Sequence, residues 1–440
     1  MDLPVELPKF NRWSFAIRKR CEGKLLDHQK KSLEKLVEWF RDQDGRPALV
    51  SMPTGTGKTG VICCLPYFLG SIGLQEPSER ELATGTPKYS FDKPVLVIAP
   101  GIDIADQLEG QILISTDGNK ENFLLKREII PNGHANIKTV IPNGEKITDP
   151  KRLTSPDALG AKDVIIANAQ KFPARRDDSG RWWGEELPDN LFRLVIVDEA
   201  HHVPAPTWQR IINKFSGHAM VVFLTATPFR TDGKPVVEGE FAYHLPLSKA
   251  REEGIIRVTR WQEVGGHSSD QPDTELFKLV LEKVKEIQDQ KNEEQPLPGD
   301  VPHMAIAITR TQELANEAVK LWNDKYGPGT AIAYHGEMNS ELPQMMQKIR
   351  NNKVKLVVVV GMLMEGFDHP PISIAAVMTK ISSPVKFVQF VGRAQRVVRS
   401  QHGDPENRDI PADIVSHRSY DQGGNYRKFE SGKFVEPNED

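Results

Sequence analysis

The string Met-Pro-Thr-Gly-Thr-Gly-Lys-Thr at 52–59 constrains this chain more than any other stretch. An apolar run, Ala48 to Val50, precedes it, and a second, Val61 to Leu69 interrupted by Pro66, follows. A buried strand, a Gly-containing loop and a helix in that order make a phosphate-binding loop. Successive backbone N–H groups of such a loop point at phosphate oxygens, and the helix behind it adds its positive dipole end. Thr54, Gly55, Thr56 and Gly57 form the loop, Lys58 reaches the outer phosphates, and the Thr59 hydroxyl is placed to ligate Mg2+. Met52 stands where the usual pattern has Gly, so a second site has to support the first.

Leu194-Val-Ile-Val-Asp-Glu-Ala-His201 supplies it. Four apolar residues predict a buried strand with two carboxylates at its carboxyl end, where open α/β sheets bind ligands. Asp198 is expected to hold Mg2+, and Glu199 to orient and deprotonate an attacking water. The roles separate because the metal neutralises phosphate charge while the base stays free for the nucleophile. Alone, Asp-Glu at a strand end also fits a solvated terminus; beside a phosphate loop it does not.

At 440 residues the chain favours two or three domains. Lys+Arg 57 against Asp+Glu 60 leaves a net charge of -3, so no global basic field advertises nucleic acid. A local basic stripe suffices for that, whatever the total. Three cysteines without zinc-ligand spacing argue against a disulfide framework or zinc site, and fit a reducing, intracellular setting, cytoplasmic or nuclear. The N-terminus lacks the shape of a signal peptide. The longest apolar run, Leu356–Met364, is too short to span a bilayer, so no membrane partner is expected.

Along the chain, residues 1–24 read as an arm. Leu25 to Phe40 carries helical apolar spacing. Polar stretches at 75–90 and 117–158 read as surface insertions, and Trp182-Trp183 lies in an aromatic patch before the Asp-Glu strand. Strands are expected at Val95–Ala99, Val164–Ala167 and Met220–Leu224, the last ending in Thr225-Ala-Thr-Pro228. A helix at 250–254 and a strand at 255–258 open a second unit, and Leu276–Ile287 is amphipathic. The charged segment 289–299 reads as a surface loop. Strands at 304–308, 331–334, 356–360 and 375–378 then alternate with helices at 311–322, 342–351 and 386–391. The tail from Arg408 has few apolar anchors and reads as a surface covering. Alternation of strands and helices predicts parallel sheets, hence two α/β units in tandem. The division is an arm at 1–24, a first unit at 25–235 and a second at 236–440.

Only the first unit carries a phosphate loop. The second carries Gln389-Phe-Val-Gly-Arg393-Ala-Gln-Arg396. Helical spacing predicts that Arg393 and Arg396 share one face, with Gln389 a turn earlier. Paired guanidiniums are suited to neutralising a γ-phosphate in phosphoryl transfer, although a solvated basic face is the plainer alternative. Gly361-Met-Leu-Met-Glu-Gly366-Phe-Asp368 follows a buried strand, and Asp368 is suited to a ribose hydroxyl or a motif arginine.

The ordered set Gln29, 52–59, Pro100 with Gln107, 198–201, 225–228, 361–368 and 389–396 resembles a superfamily 2 helicase or translocase of the DEAH type. Leu224-Thr-Ala-Thr-Pro-Phe-Arg-Thr-Asp-Gly233 and Gly392-Arg-Ala-Gln-Arg396 are similar to the ATPase subunits of type III restriction enzymes. The resemblance covers 25–399. It implies an α/β fold of two tandem RecA-like parallel-sheet domains with the ATP site at their interface. It implies that Gln29 reads adenine and that Gly366 and Asp368 belong to the nucleotide site. His201, Thr225, Thr227 and Gln389 are implied to couple ATP to a nucleic-acid track. Pro100, Gly101, Gln170, Thr309, Arg310, His335 and Gly336 match positions that grip a phosphodiester backbone. Gly361 stands where many relatives have Thr.

The expected activity is a nucleic-acid-dependent ATPase using ATP and Mg2+, acting as a helicase or duplex translocase, with DNA favoured over RNA. A nucleotide-controlled clamp, or a sensor without processive unwinding, is the alternative. Restriction-type relatives imply, by analogy alone, a nuclease or methyltransferase partner. A nuclease site within the chain is not supported, because no second carboxylate cluster with a nearby Lys appears in a strand context.

Overall fold

In the computed structural model, the residues described are 9–42, 46–70, 72, 92–114, 121–131, 137–147, 155–168, 187–203, 206–229, 235, 240–266, 272–335, 342–360, 369–398 and 410–432. Two parallel sheets carry the fold, as two RecA-like domains in tandem.

The first sheet has seven strands: β1 (Ala48–Ser51), β2 (Val95–Ala99), β3 (Gly144–Ile147), β4 (Val164–Asn168), β5 (Leu194–Val197), β6 (Met220–Thr225) and β7 (Glu240–His244), in the order β3-β4-β2-β5-β6-β1-β7. Strands 1, 2, 4 and 5 are buried throughout, as unbroken Val, Ile, Leu and Ala runs require when helices cover both faces. The covering helices are α1 (Lys9–Arg20), α2 (Asp27–Asp42), α3 (Lys58–Leu69), α4 (Ile102–Ile112), the short α5 (Phe123–Lys126), α6 (Ile137–Val140) and α7 (Pro156–Gly160), and α8 (Pro206–Phe215).

α1 is a packed helix and not a loose arm. It buries Phe10, Asn11, Ser14 and Ile17, and Asn11 Nδ2 donates to the Gly70 carbonyl at 2.9 Å. α3 continues through Pro66, and its residues from Gly60 to Leu69 are all buried. The segment read as a polar insertion at 117–158 contributes the edge strand β3, and Leu124, Ile129, Ile130, Val140, Ile141 and Ile147 are buried. A division at 235 leaves β7 on its far side, although β7 pairs with β1.

After α9 (Leu247–Glu252) the second sheet begins: β8 (Thr259–Val264), α10 (Asp273–Glu294), β9 (Met304–Thr309), α11 (Gln312–Tyr326), β10 (Ala331–Tyr334), α12 (Leu342–Arg350), β11 (Leu356–Val360), β12 (Ile372–Val377), α13 (Pro384–Val391), β13 (Ala412–His417) and α14 (Gly423–Glu430). Its order is β10-β11-β9-β12-β13-β8. Residues 255–258, expected as a strand, form none; Ile256 makes an isolated bridge to Arg396. The charged run after 289, expected as a loop, continues α10 to Glu294 and buries Lys291.

The tail is the largest departure. β13 is fully buried between β12 and β8, and is not a surface covering. Its polar positions escape notice as core because each has a partner. Asp413 takes Lys291 at 2.9 Å and Arg260 at 2.6 Å, and Ser416 Oγ donates to the Val377 carbonyl at 2.9 Å. α14 anchors it further: Tyr426 stacks on Trp261 with centroids 5.0 Å apart, and Glu430 takes both Arg251 terminal nitrogens at 2.9 Å. One apolar cluster runs from the first unit through Leu245, Leu247, Ala250, Ile255 and Ile256 into Val388, Val391 and Ala394 of the second. Among the described residues no helix is long and apolar enough to cross a membrane.

Candidate nucleotide site between the two sheets

The phosphate loop leaves β1 and turns through two left-handed glycines, Gly55 (φ 86°) and Gly57 (φ 81°). Both are also hemmed in. A Cβ on Gly57 would sit 2.5 Å from Gln29 Nε2, and one on Gly55 would sit 2.9 Å from Arg396 Cγ. Gln29 grips the loop from α2: Nε2 donates to the Gly57 carbonyl at 2.7 Å, while Oε1 accepts from the Leu26 amide at 3.0 Å. His28 Nε2 meets the Thr56 carbonyl at 2.7 Å. Thr56 is buried, and its hydroxyl donates to the Pro53 carbonyl at 2.7 Å, so it shapes the loop from within. Met52, at the position where Gly is usual, is fully buried and its amide donates to the Thr225 carbonyl at 3.0 Å.

Asp198 and Glu199 follow β5 at the same carboxyl edge. The Asp198 amide donates to the Ile98 carbonyl at 3.0 Å, and Asp198 Oδ1 accepts from the Glu199 amide at 3.0 Å. Glu199 holds a left-handed backbone, φ 49° and ψ 52°, a conformation that a side-chain-bearing residue adopts at a cost and that recurs at functional sites. It turns the carboxylate back over the loop: Oε1 lies 3.9 Å from Lys58 Nζ, and Oε2 lies 3.4 Å from His201 Nδ1. Burial by itself raises the Glu199 pKa. The Lys58 ammonium, then His201, outweigh it and hold the carboxyl well below the usual carboxylate range. Glu199 is therefore ionised at neutral pH, and its Oε2 is buried without a hydrogen-bond partner among the described residues.

The second unit closes the cleft. Arg393 and Arg396 line it together with Thr54, Lys58, Thr59, Asp198, Glu199 and Gln389. The arginines do not share a helix face, contrary to the expectation from their spacing. α13 ends at Val391, and both come from the turns after it. Gly392 makes that exit against the phosphate loop, where a Cβ would sit 2.8 Å from Thr54 Cβ. Gln389 Nε2 reaches His201 Nε2 at 2.7 Å. Thr225 Oγ1 lies 3.5 Å from His201 Nδ1 and accepts from the Thr227 amide at 3.1 Å. The Thr59 hydroxyl and the Asp198 and Glu199 carboxylates line one cleft, and hard oxygen donors of this kind suit Mg2+.

A family model described as "Type III restriction enzyme, res subunit" matches residues 22–230. A putative mitochondrial ATP-dependent helicase, irc3, of Schizosaccharomyces pombe is 30% identical over 411 residues, covering 88% of this chain and 58% of that protein. By these matches the chain is similar to superfamily 2 helicases and to the type III restriction ATPase group. A DNA 3'-5' translocase, XPB2, of Sulfurisphaera tokodaii is 21% identical over 407 residues, covering 82% of this chain and 77% of that one. A fragment structure of a putative HsdR subunit of a type I restriction enzyme from Vibrio vulnificus YJ016 shares the fold, with TM-score 0.59 at 18% identity, over 93% of this chain and 67% of that chain. The chain spans about half the length of several curated relatives, 58% of the Schizosaccharomyces protein and 44% of a putative ATP-dependent helicase IRC3 of Saccharomyces cerevisiae.

The superfamily 2 positions expected to grip nucleic acid lie at carboxyl edges of strands. Pro100 and Gly101 follow β2, and Gly101 starts α4. Thr309 ends β9 with Arg310 just after it, and His335 follows β10. Tyr334, just before His335, brings its hydroxyl 3.5 Å from Asp103 Oδ2, so the β2 and β10 edges meet across the units. Arg310 is exposed but bound to Asp273 at 2.7 Å, and Thr309 is buried, its hydroxyl donating to the Thr311 carbonyl at 3.2 Å. Gln170, Gly336, Gly366 and Asp368 lie outside the described residues, as do the 75–90 stretch and the tryptophan patch.

Sequence reasoning missed one wall. Behind the loop a cavity of about 500 Å³ is lined by Gln29, Gly60, Gln111, Phe123, Arg127 and Pro370 among others. Phe123 reaches Gly60 so closely that a Cβ there would sit 2.7 Å from its ring. Phe123 and Arg127 belong to the segment read as a polar insertion. The available signal was Phe123-Leu-Leu after Asn122, an N-cap followed by apolar residues.

Proposed function

We propose that this chain is a nucleic-acid-dependent ATPase that works as a helicase or duplex translocase, on DNA in preference to RNA. The carrying observation is that Arg393 and Arg396 of one sheet line the same cleft as Lys58 and Glu199 of the other. Lys58 and the loop amides bind the β- and γ-phosphates, and the base enters the cavity between Gln29 and Phe123. Mg2+, when bound by Thr59 and Asp198, neutralises phosphate charge. Glu199 orients the attacking water and takes up its proton. Its depressed pKa makes it a poor resting place for that proton, which passes on to the departing phosphate. Arg393 and Arg396 neutralise the γ-phosphoryl group as it leaves.

In this reading the working units are an ATP-binding half, 25–235 with β7 added, and an arginine-supplying half that follows. Nucleic acid lies across Pro100, Gly101, Thr309, Arg310 and His335, with Gln170 and Gly336 completing the set. Gly366 and Asp368 complete the nucleotide site. Cleft closure and opening then alternate grip and release. DNA is favoured because a relative is named a DNA translocase. A nuclease or methyltransferase partner subunit is proposed by analogy with restriction enzymes. The test is ATP turnover with single- and double-stranded DNA and RNA side by side. Stimulation that weakens steeply with salt is expected. A rate that no nucleic acid changes would sink the motor and leave the nucleotide-controlled clamp.

A further inference from the structure

The second unit buries an arginine that the hydrolytic reading does not use. Arg257 lies in the segment between α9 and β8 and is 0% exposed. Its Nη1 donates to the Ile372 carbonyl at 3.2 Å and to the Ala394 carbonyl at 3.5 Å. Its amide donates to the Gln395 carbonyl at 2.7 Å, and its carbonyl accepts from Gln395 Nε2 at 3.1 Å. The preceding residue, Ile256, bridges Arg396. Residues 256 and 257 thus run as a splint along 394–396. The Arg396 stem and the Ile256 side chain both lie against Gly55. The turn that carries both cleft arginines is thus backed by the splint, and both meet the phosphate loop at Gly55.

Stability alone gives no reason for an arginine at 257. Burying a guanidinium costs free energy, and an apolar side chain of similar volume is commonly as good or better. Burial lowers the Arg257 pKa only to about 10, so it keeps its charge at neutral pH. Its Nε and Nη2 have no hydrogen-bond partner among the described residues. The nearby carboxylate, Asp413, is engaged by Lys291 and Arg260. What a planar fork supplies, and an apolar group does not, is direction: one nitrogen reaches two carbonyls, tying the start of β12 to the turn after α13.

We propose that Arg257 is a positioning residue for Arg396, fixing the 394–396 turn so that the guanidinium meets the γ-phosphate. The proposal rests on the ATPase reading. Arg257→Met removes the fork while filling most of its volume, and Arg257→Lys restores a donor. Hydrogen exchange is measured first. In Arg257→Met the amides of 393–396 are expected to exchange roughly tenfold faster, with β9 and β5 amides unchanged as a control on folding. Turnover follows: kcat is expected to fall roughly 10- to 100-fold, the scale of an ångström-level misplacement, with KM for ATP unchanged and part of kcat recovered in Arg257→Lys. Arg257→Met/Arg396→Ala is expected to be no slower than Arg396→Ala alone, because one residue acts through the other.

Unchanged exchange at 393–396 overturns the proposal. So do losses that multiply in the double variant, or a kcat loss accompanied by equal losses in ATP binding and thermal stability. If the unaltered chain turns over no ATP, the ATPase reading fails, and the exchange measurement alone decides whether Arg257 holds the turn.

Discussion

Gln389 Nε2 lies 2.7 Å from His201 Nε2, and that contact joins the two sheets at the cleft. With its amide nitrogen turned this way Gln389 donates, so the ring nitrogen accepts and the ring proton sits on Nδ1. Nδ1 faces Glu199 Oε2 at 3.4 Å and Thr225 Oγ1 at 3.5 Å. In the proposed cycle, a change in cleft closure would reach the carboxylate through this one imidazole. Gln389→Ala is expected to leave ATP binding intact and to lose about tenfold of the nucleic-acid stimulation, within the range of ordinary coupling energies. ATPase rates with and without nucleic acid check it; stimulation equal to that of the unaltered chain would remove Gln389 from the coupling path.

Glu199→Gln keeps the size and the hydrogen-bond reach of the side chain but removes the proposed base. Binding of ATP is expected to persist, since Lys58 and the loop amides remain, while turnover falls by roughly 10²- to 10⁴-fold, as for loss of a general base. Equilibrium binding of a fluorescent ATP analogue, paired with phosphate release, separates the two effects. Substantial turnover in this variant would move the base elsewhere.

The phosphate loop and the Asp-Glu strand were legible because buried parallel strands read as unbroken apolar runs whose functional residues sit just past the carboxyl end. The same rule hid β13. Asp413, Ser416 and His417 look like surface in a lone sequence, and only Lys291, Arg260 and the Val377 carbonyl make them core. Lys291 in turn sits on the part of α10 that charge, with Pro296 and Pro298 close behind, marked as loop. The arginine pair was found by residue type and placed on the wrong element. Helical spacing does not register that Gly392 must clear Thr54, a contact made by a segment over 300 positions earlier in the chain. Arg257 had no signal at all, since nothing in one sequence marks which arginine will be buried.

Phe123 tests the base pocket. Its ring meets Gly60 on one side and lines the cavity that Gln29 also lines. Phe123→Ala is expected to raise KM for ATP by about 5- to 10-fold with kcat nearly kept, since stacking on a base is worth on the order of 1 kcal/mol or more. Gln29→Ala is expected to narrow the preference for ATP over GTP as well, and to loosen the loop through its lost bond to the Gly57 carbonyl. Michaelis constants for both nucleotides check this. An unchanged KM in Phe123→Ala would mean that the base lies elsewhere.

His303 gives the fold an acid limb. The ring is fully buried, with Nε2 2.8 Å from the Gln295 carbonyl and Nδ1 2.7 Å from Ser373 Oγ. A carbonyl only accepts, so Nε2 carries the proton and Nδ1 accepts from the serine. Burial above all, then Lys291 and Arg257, push the imidazole pKa down to about 4, against a partial upward pull from the Gln295 carbonyl. The unfolded chain, with an ordinary imidazole near 6.5, binds the proton first as pH falls. Between about pH 6.5 and 4 the unfolded state thus holds more protons than the folded one, so stability is complete above that window and drains away on descending through it. The loss amounts to at most about 3 kcal/mol. His303→Gln keeps a donor for the Gln295 carbonyl and cannot titrate. It is expected to have lower stability at pH 7 but a flatter melting temperature from pH 6.5 to 4. Thermal melts across that range decide it, and equal slopes for the two proteins would assign the acid limb to other groups.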